Sequence, residues 1–514
     1  MLIPDVILLV WVLALGAWRL IAPTRRPRLR TAAAGLGVLL AVGQWMLCGF
    51  TWQDLPLYLL LALSALPPLR SGAALRWIGR LGMVAIAASG IGVWVLPAVP
   101  ELPPPDGRHA VGTRIYRWTD VSRDEPRTAD GSDRRSVIAQ AWYPAPHRED
   151  SGRGARLPYI DGTDRMPAHV SAMPGFMLRR YGQIDTHADA EAPLAAGDRP
   201  WPVVIFSPGF GAPRAVYTGL ATRLASRGFV VFALDHPYES GVTELPDGRV
   251  VGTQEPARDD PERIHYMTDQ QVVRTADIRF VIDQLARPEA ILPPLQKGSI
   301  EASKVAVIGH SFGGAVSAMA LSEDPRVVAA ANIDGTPYGE LPGRQLTRPF
   351  LLLQSDLAES PHGELFHNGN GKLLANMTAP GFRYEIKRAN HFSFTDAPFF
   401  FATPGRWLLA QVMGGERGPA ATQQATADIL EAFLSGPLTG VHVDLAATAA
   451  RYPDVLGGPV TAMPATSQGS GSSSYRQRER MALLMAFRLA SEERFTHATA
   501  TPHQATWTGS HASW

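Results

Sequence analysis

Lys304-Val305-Ala306-Val307-Ile308-Gly309-His310-Ser311-Phe312-Gly313-Gly314 is the stretch on which the reading of this chain turns. Its first five residues form a short, β-branched apolar run of the kind that makes a buried strand. Beyond the glycines, Ala315, Val316, Ala318, Met319, Ala320 and Leu321 read as helix. Gly-x-Ser-x-Gly between a strand and a helix predicts a nucleophile elbow, a turn tight enough to force the serine into a strained backbone conformation. Only glycine at 309 and 313 leaves room for the close approach of strand and helix. The start of the helix then directs backbone N–H groups and a positive dipole end at the serine oxygen. Ser311 is the candidate nucleophile.

Outward from the elbow, the pattern from about Asp106 to about Leu456 is that of one α/β domain. Ser136–Tyr143 alternates like a half-exposed strand. Pro202–Phe206 and Phe229–Leu234 are β-rich runs flanking a helical stretch, Val216–Arg227, and Arg263–Leu285 carries Val273, Ala276, Phe280 and Ile282 at helical spacing. Val327–Ile333, Pro349–Gln354 and Phe382–Ala389 follow as short apolar segments ending in polar or glycine residues. Strands alternating with helices predict a mostly parallel sheet covered on both faces, the α/β-hydrolase class. No internal repeat is visible.

A serine nucleophile requires a base and an acid that orients it, in this fold in the order serine, acid, histidine. His391 follows the strand-like Tyr384–Arg388 on a short loop and is the candidate base; its rivals are His362 and His367, in a polar Gly/Asn-containing loop, and His442. His310 supports the elbow. Asp334 and Asp356 each end one of the two strands after the elbow, and spacing does not separate them. The oxyanion hole needs two N–H donors. Phe312, directly after the serine, supplies one; Phe210, between two glycines in Ser207-Pro208-Gly209-Phe210-Gly211, supplies the other. Phe210, Phe312, Phe392 and Phe394 are expected to form apolar walls around the site.

The first hundred residues have a different character. Leu2–Ala22, Thr31–Gln53 and Leu81–Pro100 are long apolar runs, and Leu55–Leu69 is a shorter one. A spanning helix takes about 20 apolar residues. The expectation is four uncleaved transmembrane helices, with three as the alternative, since the start of run one lacks the basic residues of a signal peptide. Arg25, Arg26, Arg28 and Arg30 follow run one, and Arg70, Arg76 and Arg80 lie around the third connection, whereas Asp54, Glu101 and Asp106 mark the other side. Positive charge stays cytoplasmic, so the expected setting is a multi-pass protein of the cell membrane whose catalytic domain is extracytoplasmic. The implied division is 1–100 membrane module, 101–465 catalytic domain and 466–514 a flexible linker and low-complexity tail with a candidate amphipathic helix at Tyr475–Phe495. A net charge of +1 and no basic block outside the N-terminal region argue against nucleic acid as a partner. The single cysteine, Cys48, allows no intramolecular disulfide.

The chain resembles the plasma-type (isoform II) platelet-activating-factor acetylhydrolases and their bacterial lipase and polyester-hydrolase relatives. The resemblance runs in order through Trp201-Pro-Val-Val-Ile-Phe-Ser-Pro-Gly-Phe-Gly-Ala, Leu224-Ala-Ser-Arg-Gly-Phe-Val-Val, Gly309-His-Ser-Phe-Gly-Gly-Ala, Leu321-Ser-Glu-Asp-Pro-Arg, Ile333-Asp-Gly and Asn390-His-Phe-Ser-Phe-Thr-Asp. It implies an esterase with Ser311, Asp334 and His391 as triad, Phe210 and Phe312 as oxyanion donors, and no metal or other cofactor. The implied activity is lipolytic cleavage of short or oxidised acyl esters of lipids through an acyl-enzyme; a general carboxylesterase or polyester hydrolase is the neighbouring reading. A non-catalytic membrane sensor with a hydrolase-like domain is the reading from another class. Two features depart from the family: Pro208 stands where histidine is common, and the secreted members have no transmembrane module.

Overall fold

The computed structural model describes residues 3–460 except 23–25, 67–71, 97–98, 148–153, 164, 166–180, 255–261, 288, 297, 403–406, 408–409 and 411–414. Arg25, Arg70, the linker and tail of 466–514 and the Tyr475–Phe495 segment therefore lie outside the described residues.

Among the described residues, ten strands form one sheet in the order β12-β11-β10-β9-β8-β4-β5-β2-β1-β3. They are β1 (Ala110–Asp124), β2 (Arg134–Ala145), β3 (Asp189–Ala190), β4 (Trp201–Ser207), β5 (Val230–Asp235), β8 (Ile300–His310), β9 (Val327–Ile333), β10 (Phe350–Ser355), β11 (Gly381–Ile386) and β12 (Val455–Pro459). A short hairpin of β6 (Thr243–Glu244) and β7 (Val250–Val251) stands apart. From β5 to β11 every neighbouring pair is parallel, while β2 runs antiparallel to β5 and β1, and β12 to β11.

Alternation of side chains along the strands builds two cores. Val204, Phe206, Val231, Ala306, Ile308, Leu351 and Leu353 point to one face, where they meet α5 (Thr218–Ser226) and α9 (Pro419–Thr439). Val203, Ile205, Phe232, Val305, Val307, Phe350 and Leu352 point to the other, against α6 (Arg263–Leu285), α7 (Phe312–Glu323) and α8 (Glu364–Ala375). Continuous apolar runs are what strands buried on both faces require. α10 (Leu445–Ala450) leads into β12.

Three expectations need correction. β2 is not half-exposed: every residue but Arg134 is buried, because its polar positions enter internal networks instead of water. Arg135 pairs with Asp277 and Glu125, and Gln140 bonds Thr113 and Arg214. His367 does not lie in a loop but on α8. The fourth apolar run starts its helix early: α4 spans Ala73–Gly92 and takes Arg76 and Arg80 into its first two turns.

At the N-terminus, α1 (Ile3–Ile21), α2 (Pro27–Cys48), α3 (Leu55–Ala65) and α4 pack around Leu8, Val12, Leu15, Leu57, Leu60 and Leu61. α1, α4 and Arg28–Cys48 of α2 are long and apolar enough to cross a membrane. Gly37 and Gly90 let helices approach, since a Cβ there would meet Leu61 and Leu57. One end of the bundle is polar inside: the Gln44 amide N–H2 faces Asp5 Oδ1 (3.0 Å), Asp54 Oδ2 (2.9 Å) and Thr51 Oγ1 (3.1 Å), and its oxygen accepts from Tyr58. Gln53 reaches the carbonyl of Leu96 at the same end.

The contact of β8 with α7 and β4 is made almost without side chains. A Cβ on Gly313 would overlap the carbonyl oxygens of Ser207 and Pro208, and one on Gly309 would overlap the backbone of Gly313. Backbone cannot move aside as a flexible side chain does. Gly313→Ala is expected to cost about 3 kcal/mol, read as the shift in the denaturant midpoint; a change below about 0.5 kcal/mol would show that the elbow tolerates a side chain.

Candidate active site

Ser311 caps α7 at the end of β8 with φ 55° and ψ −125°, a backbone conformation that non-glycine residues rarely adopt. Its N–H is held by Ile333 O at 2.7 Å. His391 Nε2 lies 3.0 Å from Ser311 Oγ, and His391 Nδ1 lies 2.7 Å from Asp334 Oδ2. Asp334 stands just beyond β9, also at positive φ (59°), and is buried. Its carboxylate accepts from the Ser355 N–H (2.8 Å) and Ser355 hydroxyl (2.9 and 3.0 Å). Burial would raise the Asp334 carboxyl, but the imidazoles of His362 and His391 facing it hold it well below the usual carboxylate range. A carboxylate ionised across ordinary pH thus faces the imidazole beside Ser311 Oγ.

The turn carrying His391 is shaped locally. Asn390 caps it in a capping box with Ser393, accepting from Phe392 N–H, and the His391 N–H donates to Ser360 Oγ at 2.9 Å. Asp356 is occupied elsewhere: it accepts from the backbone N–H groups of Arg388 (2.8 Å) and Ala358 (3.0 Å) and pairs with Lys387. None of its hydrogen bonds reaches His391. His362, considered among the bases, lies 2.9 Å from Asp334 Oδ1, so two imidazoles share one carboxylate, an oxygen each. His442 is exposed in the loop after α9.

Phe312 N–H starts α7, and Phe210 N–H lies in the loop after β4; neither has a hydrogen-bond partner among the described residues. The neighbouring Gly209 N–H is taken by the Tyr217 hydroxyl at 2.9 Å. The loop is tied from behind by Arg274 of α6, fully buried, whose Nη1 donates to Pro208 O (2.7 Å) and whose Nε pairs with Glu239 Oε2 (2.7 Å). Its guanidinium lies 4.8 Å from the Phe312 ring centroid. Of the four phenylalanines expected as walls, Phe312 and Phe394 are buried in the protein; Phe210 and Phe392 are half-buried at the site.

Behind this loop sits another serine–histidine–aspartate set: His236 Nε2 is 3.1 Å from Ser207 Oγ and Nδ1 is 2.8 Å from Asp277 Oδ2. All three are fully enclosed, so no ester can reach them. Burial, then the charge of Arg274, pushes His236 down to about 4, keeping it neutral. This set fastens β4 to α6 and is structural.

Sequence reading passed over Tyr217, Arg274 and the link of His362 to Asp334. For Arg274 a signal existed: Gln270, Arg274 and Asp277 recur at the spacing of the buried face of α6, and polar residues at core spacing announce an internal network. Tyr217 and His362 gave no comparable signal, since their partners lie far away in sequence.

The mostly parallel sheet, its two-sided helical cover and the strand–elbow–helix at Ser311 are those of the α/β hydrolases. The family model described as platelet-activating factor acetylhydrolase, isoform II, matches residues 99–280 and 294–439, and the chain belongs to that family. Among relatives, the platelet-activating factor acetylhydrolase of Cavia porcellus is 31% identical over 281 residues, covering 48% of this chain and 59% of that one. A probable 1-alkyl-2-acetylglycerophosphocholine esterase of Arthroderma benhamiae is 28% identical, over 43% of this chain and 53% of its own. The match thus spans a little over half the length of these relatives. The bis(hydroxyethyl) terephthalate hydrolase of Streptomyces coelicolor is 28% identical, over 47% and 70%. The solved structure of a ferulic acid esterase from Streptomyces cinnamoneus superposes with a TM-score of 0.58 at 29% identity, covering 70% of this chain and 99% of that one.

The two aspartates separate in a direct comparison. Asp334→Asn should lower kcat by about 10⁴ with little change in KM, because His391 loses its tautomer lock and counter-charge. Asp356→Asn should cost about tenfold or less. The opposite ranking in steady-state kinetics would transfer the orienting role to Asp356.

Proposed function

We propose that this chain is a membrane-tethered serine ester hydrolase that cleaves short or oxidised acyl groups from lipid-like esters. The observation that carries the reading is the 3.0 Å approach of His391 Nε2 to Ser311 Oγ, with Asp334 2.7 Å from the opposite ring nitrogen. In this mechanism Ser311 Oγ attacks the ester carbonyl carbon while its proton passes to His391 Nε2. Charge develops on the carbonyl oxygen, and the N–H groups of Phe210 and Phe312 stabilise it. The tetrahedral intermediate collapses, the C–O bond to the alcohol breaks, and the alcohol leaves with the proton from His391. Water then attacks the acyl-Ser311 ester, giving its proton to His391, and the carboxylic acid departs as Ser311 is re-protonated.

Family membership supports an ester substrate. The half-buried Phe210 and Phe392 give an apolar approach suited to short acyl chains. The Streptomyces esterase that superposes over 99% of its own length supports a second reading, a carboxylesterase acting on aromatic esters. A substrate panel separates the two. Acetyl and butyryl glycerophospholipids should turn over faster than long-chain triglycerides and than hydroxycinnamate or terephthalate esters; dominance of the aromatic esters would select the second reading. A fluorophosphonate should label the wild-type protein, and Ser311→Ala should abolish labelling and lower kcat by about 10⁶. Undiminished labelling of that variant removes Ser311 from the mechanism.

Tethering rests on the helices of residues 3–92, with the division 1–100 membrane module and 101–465 catalytic domain. α3, 11 residues long, reaches only ~16 Å, short of a full crossing unless its flanks extend it. Yet Asp5, Gln44, Asp54 and Leu96 gather at one end of the bundle, whereas Arg19, Arg30, Arg76 and Arg80 sit towards the opposite ends of their helices. The chain therefore leaves for the hydrolase domain at the end poor in arginine, which supports an extracytoplasmic domain. Alkaline phosphatase fused after Pro105 should be active, since it folds only outside the cytoplasm. Bright green fluorescent protein at that junction would reverse the orientation.

A further inference from the structure

We propose that Tyr217 and His310 form a hydrogen-bonded relay that sets the oxyanion loop relative to the catalytic imidazole. The proposal rests on the ester-hydrolase reading. Gly209 N–H lies 2.9 Å from the Tyr217 hydroxyl, that hydroxyl lies 2.9 Å from His310 Nδ1, and His310 Nε2 lies 2.9 Å from the backbone carbonyl of His391. With the His310 ring neutral, donor and acceptor chemistry fixes the direction of every link. An amide N–H only donates, so the Tyr217 oxygen accepts there. Its own single proton then goes to His310 Nδ1, which must carry a lone pair. A carbonyl only accepts, so the His310 proton sits on Nε2. The Nδ1–H tautomer would set the Nε2 lone pair against that carbonyl, and the cation would reverse the link to Tyr217, so either state departs from this relay.

The three links join segments distant in sequence. Gly209 precedes Phe210, one proposed oxyanion donor. His310 precedes Ser311, and through Phe312 the other donor. The carbonyl of His391 belongs to the residue whose ring serves as base. A displacement of the loop after β4 is therefore transmitted to the turn carrying the base, and both reacting parts keep one spacing. Arg274 holds the same loop from its other side at Pro208.

The neutrality of His310 has a chemical use. Its ring lies 4.5 Å from that of His391, with Phe394 at 5.9 Å. Burial first, then the charges of His391 and His362, pushes His310 down to about 3, with Asp334 opposing. Tyr217 is the other titratable group against it, and burial pushes that phenol up. When His391 takes the serine proton it becomes a cation, and a second cation under its ring would disfavour that step. A neutral ring leaves the counter-charge of Asp334 unopposed. Tyr217 and His310 are thus positioning residues, acting through Phe210 and His391.

Two measurements on the full chain in detergent test the relay. The first is steady-state hydrolysis of p-nitrophenyl acetate by wild type and Tyr217→Phe, with thermal unfolding followed alongside. Tyr217→Phe leaves Gly209 N–H and His310 Nδ1 without partners and should lower kcat by about 10- to 100-fold while KM stays within about twofold. A folded Tyr217→Phe that keeps kcat within about twofold of wild type overturns the relay. The second measurement is ¹⁵N NMR of selectively labelled histidine in the wild-type chain, which needs neither a variant nor turnover. His310 should read as the neutral Nε2–H tautomer from about pH 5 to 9; a Nδ1–H tautomer, or protonation inside that range, overturns the proposal. A wild-type chain that hydrolyses no ester and takes no fluorophosphonate on Ser311 overturns the ester-hydrolase reading instead, and the tautomer then decides the Tyr217–His310 relay separately.

Discussion

A strand and a helix meeting with no side chain between them is the constraint on which the site depends. Gly309 and Gly313 bring β8, α7 and the end of β4 to backbone contact, and the chain can make that turn only by placing Ser311 at positive φ. Such a conformation costs of order 1–3 kcal/mol and persists only where its surroundings over-determine it. Here the surroundings are explicit. Ser311 N–H is held by β9, and Gly335 is gripped on both sides by the Asn332 side chain, which donates to its carbonyl (2.9 Å) and accepts from its N–H (2.8 Å). The second strained residue, Asp334, sits within that same clasp. Ser311 and Asp334, the proposed nucleophile and acid, are thus presented by adjacent strand ends, β8 and β9, whose ladder fixes their spacing.

Much of this was legible because it is local. The elbow announces itself within eleven residues, and the central strands are continuous apolar runs whose period forces both faces to be buried. α6 and β9 occupy the residues their patterns predicted, Arg263–Leu285 and Val327–Ile333. What escaped is non-local. β1, fifteen residues long with a mixed burial pattern, gains its place by pairing with β2. α9 is rich in Ala, Thr and Gln and is buried along much of its length, so it shows no amphipathic stripe. The half-exposed reading of β2 failed for the same reason, since alternation was taken to mean water on one side. Its polar side chains face ion pairs that α6 and the chain after β5 bring to them.

Buried charge is the recurring device of this domain. Arg135, Arg274 and Arg214 are enclosed, and each has carboxylate partners: Asp277 and Glu125, Glu239, and Asp161 and Asp235. Pairing a buried charge seldom adds net stability, but removing one partner is costly, about 3–5 kcal/mol. The consequence is rigidity in a particular place, because these pairs converge beneath the loop after β4 and leave it with few alternatives. The enclosed Ser207–His236–Asp277 set belongs to the same layer. It also shows that three residue types at hydrogen-bonding distance do not make a reactive site; solvent access and N–H donors aimed at an oxygen are needed too.

That rigid layer bears on how an ester would be received. Pro208 has no N–H, and its carbonyl is held by Arg274; the Gly209 N–H is engaged by Tyr217; the Gly211 N–H is engaged by the Glu239 carbonyl at 3.0 Å. Phe210 N–H is what the loop has left to offer an oxyanion. Its ring is fixed as well, lying 5.9 Å from Tyr266, 6.0 Å from Phe312 and 5.8 Å from the Arg274 guanidinium. On the proposed mechanism, one residue would therefore present both a donor for the developing charge and an apolar surface for the acyl group. An acyl chain that displaced the ring would also displace the N–H. Discrimination between acyl groups on such a loop falls on the transition state, where the hydrogen bond forms, and so on kcat as well as on KM.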